Sequence, residues 1–306
     1  MIKKITITTY RGDVLTLDLF DPIASEGFLV NEITGLGPVK ANINTTSMSS
    51  SDGARFNSSR MQSRNIVFNF TFMTNDDDIE AVRIKSYLYF PLKREIKILV
   101  ETDHRVGEIT GYIESNEPNI FSEQEGCQIS VICPDPYFYS PNNDLIAFSG
   151  VTPAFQFPMH KDIGDYDHII MGELERYTEK VFEYTGDVES GMTFVLNFKN
   201  EARNVSIHKI EHNEIVGSMV IDTDKLVALT GQPFIDGDVL TITTSSGNKK
   251  VILNRNGDDI NILNCVNRDA VWFQLSHGTN VFSYAADIGE SDIWFKIYSR
   301  VIYEGM

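Results

Sequence analysis

Residues 111–140, GYIESNEPNIFSEQEGCQISVICPDPYFYS, gather four glutamates and two cysteines into one short stretch. Two carboxylates about 5–10 Å apart across a cleft could hydrolyse a glycosidic bond. Glu114, Glu117, Glu123 and Glu125 flank PNIF in a strand–turn–strand pattern, where acids are ordinarily solvated or face another subunit. His208 to His212 spell HKIEH, an H-x-x-E-H arrangement that binds zinc when a helix brings residues i and i+4 together. Here the flanking residues are β-branched and alternate at period two. In a strand, His208 and His212 stand about 13 Å apart, too far for two Zn–N bonds of about 2 Å. Asn254 to Asp259, NRNGDD, brackets a glycine with oxygen side chains like a calcium loop. It lacks the loop's closing glutamate and flanking helices, so it reads as a β-turn. Neither a Gly-rich phosphate loop nor a G-x-S-x-G elbow occurs. The residues therefore predict no enzyme, no metal and no cofactor. Trp272 and Trp294 are read as aromatic residues in alternating strands, where a ring is ordinarily core but can also stack on a sugar.

The elements that must position these residues are mostly strands. KKITITTY and DVLTLDLF alternate around a Gly-Asp turn. Ile66, Phe68, Phe70 and Phe72 share one face, as do Ile96, Ile98 and Val100, and Ile129, Val131 and Cys133. One helix is expected in DDDIEAVRIKSYLYFP, capped by Asp76 to Asp78, carrying a stripe of Ala81, Ile84 and Leu88, and stopped by Pro91. Ser47 to Asn65 is serine-rich and lacks period, which predicts a long loop or arm. Its arginines Arg55, Arg60 and Arg64 are candidates for contact with an acidic surface.

Prolines 134, 136 and 141 restrict the backbone and place a domain boundary near residue 140. Residues 1–140 then form a first domain and 141–306 a second, built of many short strands that predict an antiparallel sandwich.

With 26 basic against 43 acidic residues in 306, the net charge is −17, which argues against nucleic acid as the main partner. No apolar run is long enough to span a bilayer. The N-terminus reads as a strand and not as a signal peptide. Cys127, Cys133 and Cys265 fit neither a disulfide framework nor a common zinc motif, and suit synthesis in a reducing cytoplasm.

Several segments together resemble distal tail proteins of long non-contractile-tailed phages that infect Gram-positive bacteria. They are GLGP at 35–38, DGARFNSSRMQSRNIVFNFTF at 52–72, LYFPLKREIKILV, and above all the 111–140 stretch. GVTPAFQFP, DGDVLTITTSSGNKKV, WFQLSHGTNVFSYAA and the closing VIYEG continue the likeness in family order. The resemblance implies a first domain, a β-sandwich with one helix, that joins five copies of itself in a hexameric ring. It implies a second, galectin-like domain, without implying sugar binding, and a last strand, 292–306, that could return to the first domain. It implies a virion protein at the tail tip, made in the host cytoplasm. Its partners would be the tail tube, a tail-associated tip protein and a receptor-binding protein. Glu114, Glu117, Glu123 or Glu125 could then face Arg55, Arg60 or Arg64 of the next subunit. The competing readings are a carbohydrate-binding protein using Trp272 or Trp294, and a metal-dependent hydrolase using His208 and His212.

Overall fold

The computed structural model describes residues 1–21, 25–48, 52–74, 78–153, 172–176 and 178–306. The chain divides into two compact units, Met1–Pro141 with Ile302–Met306, and Asn142–Val301.

The first unit contains β1 (Ile2–Thr9), β2 (Val14–Asp18), β3 (Phe28–Thr34), β4 (Ala41–Ser47), β5 (Ala54–Met61), β6 (Arg64–Phe72), α1 (Ile79–Tyr89), β7 (Glu95–Thr102), β8 (Val106–Pro118), β9 (Gly126–Cys133) and β10 (Phe138–Tyr139). Its main sheet runs β2-β1-β7-β8-β9-β6-β3, with every neighbouring pair antiparallel. Period-two alternation sends one set of side chains inward: Ile5, Ile7, Ile66, Phe68, Phe70, Phe72, Ile96, Ile98, Val100, Ile129, Val131 and Cys133 are all buried. Helix α1 contacts β1, β6 and β8, strands well separated in that order, so the sheet curls round the core that the helix closes. Phe28, Phe68, Phe70 and Phe90 form the aromatic centre, with ring centroids 5.5–6.4 Å apart.

Two expectations change. Asp78 caps α1, its Oδ1 accepting from Ala81 N at 3.0 Å, while Asp76 and Asp77 lie outside the described residues. The buried face of α1 is Val82, Ser86 and Tyr89, and Ile84 and Leu88 point outward. Both stripes have helical spacing. Arg83, held 3.0 Å from Glu125, and Tyr89, whose hydroxyl donates to Glu26 at 2.9 Å, fix the rotation that is observed. The supposed loop of Ser47–Asn65 is largely β5, paired with β4 in a hairpin whose residues are nearly all exposed. A ribbon solvated on both faces has no reason to alternate, which explains the missing period.

The second unit continues with β11 (Asp144–Ala147), β12 (Ser149–Pro153), β13 (Gly172–Arg176), β14 (Glu179–Tyr184), β15 (Met192–Phe198), β16 (Ser206–Glu211), β17 (Glu214–Val220), α2 (Thr223–Thr230), β18 (Val239–Thr243), β19 (Lys250–Arg255), β20 (Asp258–Asn261), β21 (Gly278–Ala285) and β22 (Ile293–Ser299). A six-stranded sheet, β11-β22-β15-β18-β19-β20, packs on a four-stranded one, β14-β21-β16-β17. Phe194 and Phe295 from the first meet Phe282 and Tyr284 from the second, with centroids 5.3–5.9 Å apart. NRNGDD is the two-residue turn between β19 and β20, with Asn256 and Gly257 both at positive φ (55° and 93°). Residues 154–158 of GVTPAFQFP lie outside the described residues.

The C-terminal strand divides differently from the expected 292–306 segment. β22 pairs with β15 and β11 along its length and stays in the second unit. Only β23 (Ile302–Tyr303) and the residues after it join the first, where β23 pairs with β10.

Candidate functional site

The opening stretch is an antiparallel pair, β8 and β9, joined by a turn over residues 119–125. The turn is built from its own side chains. Asn119 Oδ1 accepts from Gly126 N at 2.5 Å, Asn119 Nδ2 donates to Gln124 O at 3.3 Å, and Ser122 Oγ lies 2.6 Å from Gln124 O. This frame holds Phe121 at φ +70° and leaves it 99% exposed, with Ile120 exposed beside it. Among the glutamates, Glu114 Oε2 lies 2.8 Å from Ser130 Oγ, and Glu125 pairs with Arg83. Glu117 and Glu123 are exposed and carry no ion pair among the described residues.

Arg55 and Arg60 stand on the exposed hairpin strand β5. Arg64 does not join them at the surface. It opens β6, is 1% exposed, and spends its guanidinium on four carbonyls of its own unit. Nε donates to Pro136 O at 2.7 Å, Nη1 to Gly35 O at 2.5 Å and Gly37 O at 2.6 Å, and Nη2 to Glu304 O at 2.6 Å. The Phe138 ring lies 4.6 Å below. Burial lowers the Arg64 pKa from its ordinary value, and the carbonyl dipoles replace the water it has lost. Arg64 is therefore corrected from an interface candidate to an internal anchor. Sequence reasoning missed its partners because they are carbonyls scattered over the chain. The one local signal is GLGP: Gly35 has φ +85°, and a Cβ there would meet Asn65 O at 2.0 Å.

His208 lies in β16, Glu211 ends that strand, and His212 sits in the following turn at φ +52°. The expected strand is thus observed. His208 Nε2 is 3.0 Å from Ser206 Oγ, and burial lowers its pKa. Among the described residues no three His, Cys, Asp or Glu side chains cluster as a metal would require. Trp294 lies in β22, with Lys199 Nζ 5.3 Å from its ring. Trp272 lies outside the strands, in the segment between β20 and β21, with Lys249 Nζ 5.2 Å from its ring.

All three cysteines are free and buried. Burial pushes the thiols of Cys127 and Cys133 up to about 12. An unfolded thiol titrates near 8.5, so the folded chain holds these protons more tightly. Their contribution to stability is complete below about pH 8.5 and is lost as pH rises towards 12. Iodoacetamide at pH 8 is expected to leave both thiols unmodified in the native protein and to alkylate both in urea. Equal rates in the two states would contradict their burial.

These features define a class: a two-unit, all-antiparallel β protein whose polar clusters hold structure together and form no convergent reaction centre among the described residues. Residues 185–297 match the family model for the siphovirus-type tail component, C-terminal domain. The crystal structure of SPP1 Dit (gp 19.1), described as a paradigm of the hub adsorption apparatus in Gram-positive infecting phages, matches with a TM-score of 0.62 at 14% identity. The alignment covers 97% of this chain and 98% of that one. Two structures of the phage p2 baseplate in its activated conformation align at lower similarity. The one with Sr has a TM-score of 0.43 at 10% identity, over 96% of this chain and 97% of that one. The one with Ca has 0.42 at 11%, over 97% and 98%. No curated protein matches the chain. Residues 185–297 thus resemble the C-terminal domain of siphovirus-type tail components, and the chain shares the fold of SPP1 Dit along nearly its whole length.

Proposed function

We propose that this chain is a structural virion protein, the hub of a phage tail tip, closed into a ring of six copies. It joins the tail tube on one side to tail-associated and receptor-binding proteins on the other. The observation that carries this reading is the family match over residues 185–297. The role is mechanical: a ring keeps a channel open and repeats each attachment surface around it.

A closed ring of identical subunits requires two different, complementary faces on each copy. The first unit offers two such faces. One is the hairpin β4–β5, with exposed Ile43 and Phe56 and the cations Arg55 and Arg60. The other combines the outer face of α1 (Ile84, Tyr87, Leu88) with Ile120 and Phe121 of the β8–β9 turn, beside Glu117 and Glu123. Burying Phe121 alone would contribute about 1.5–3 kcal/mol, and the charges would set register more than affinity. Glu114 and Glu125 already have partners in their own chain and play a smaller part.

Light scattering on the purified protein, with negative-stain images of the same fraction, is expected to give a six-copy mass and a ring with a central hole. Arg55→Glu with Arg60→Glu is expected to reduce that mass to one copy while the tryptophan emission stays native. A ring indifferent to the double reversal would remove the hairpin from the contact.

A further inference from the structure

We propose that the second unit binds an anionic saccharide, a sugar or polyol carrying a phosphate, in the cleft beside Trp272. The proposal does not depend on the hub reading. The cleft is open, about 400 Å³, and lies between α2 and the segment after β20; Lys225, Leu263, Asn264, Asn267, Arg268 and Trp272 are among its lining residues. That volume suits one or two sugar rings.

The lining is rich in donors. Arg268 is exposed and has no ion pair or hydrogen bond among the described residues, and Asn264 is likewise exposed and unengaged. Asn267 spends its Oδ1 on Val220 N at 2.9 Å, which leaves its amide NH₂ to donate. Lys225 is tied to Asp222 at 3.1 Å and contributes a partly compensated charge beside Arg268; Lys249 does not line the cleft, its Nζ lying 5.2 Å from the Trp272 ring centroid. In a chain of net charge −17, cations gathered at one cleft select an anion against the overall field. The guanidinium fork matches a phosphate in two-point geometry. The half-buried indole supplies the apolar surface that the C–H face of a sugar covers, which inorganic phosphate lacks. Trp294 does not line this cleft.

Because the chain has only two tryptophans, Trp294→Phe leaves Trp272 as its sole indole emitter. The full-length variant is titrated with glucose 1-phosphate, glucose and inorganic phosphate while Trp272 fluorescence is followed, and calorimetry on the unsubstituted chain repeats the series. The expected result is a saturable response to glucose 1-phosphate, with half-saturation at least tenfold below that for either control. Arg268→Ala should weaken it at least fivefold and Arg268→Lys less. No saturable signal with glucose 1-phosphate in either assay overturns the proposal. So does equal response to inorganic phosphate, which would mark a simple anion site, or a response that survives Arg268→Ala.

Discussion

Arg64→Ala is expected to destabilise the first unit by about 3–5 kcal/mol, the cost of removing one partner from a buried charged network. Four carbonyls, those of Gly35, Gly37, Pro136 and Glu304, would lose a charged donor at once in a site where the wild-type side chain is 1% exposed. Each such bond contributes about 1.5–3 kcal/mol, and the relief of arginine's own desolvation offsets part of the sum. Arg64→Lys is expected to recover little, because one ammonium cannot reach four carbonyls arranged around a planar fork. Hydrogen exchange is the direct measurement. Protection should fall in β6, β10 and residues 302–306 together, and loss confined to β6 would show that the guanidinium does not hold the other segments.

The second large effect is expected at Asp238, which is 1% exposed and pairs with Arg255 through two bonds, Nε to Oδ1 at 2.9 Å and Nη2 to Oδ2 at 2.5 Å. Arg255 also donates to Pro233 O at 2.6 Å, and Asp238 accepts from Ile235 N at 3.0 Å. The pair thereby joins the end of β19, the start of β18 and the turn between α2 and β18. Asp238→Ala should cost about 3–5 kcal/mol by leaving a buried guanidinium without its counter-ion. Asp238→Leu with Arg255→Met should cost much less than the two single changes added together, because neither charge is then left alone. Both tryptophans lie in this unit, so urea unfolding followed by their fluorescence reads the effect. Additive costs would mean that the two side chains act independently.

The sequence made the strands legible wherever one face is buried, as in Ile66–Phe72 or Ile96–Val100, because burial imposes the period-two pattern. It hid the β4–β5 ribbon, which buries neither face, and it admitted two phases for α1 between which only tertiary contacts choose. The HKIEH segment was readable as strand from its β-branched neighbours, although its letters match a helical metal motif. Arg64 stood in the sequence as one of three arginines in a polar stretch. Apart from the GLGP turn at 35–38, little in the sequence distinguishes it from Arg55 and Arg60, since its partners include carbonyls as distant as residue 304. Asp238–Arg255 was equally silent, because a turn aspartate and a strand-end arginine are each ordinary by themselves.

The return of β23 has a consequence for the order of events at the ribosome. β10 emerges early and can pair with β8, but its other partner, β23, and the Glu304 carbonyl that completes the set round Arg64 follow only after all of Asn142–Val301 has been synthesised. Until then the first unit lacks part of its wall: Met306, whose amide donates to Leu36 O, and Tyr303, both of which pack against the core. A nascent first unit is therefore an unfinished one. Its surfaces reach their final form only once the intervening unit has been made.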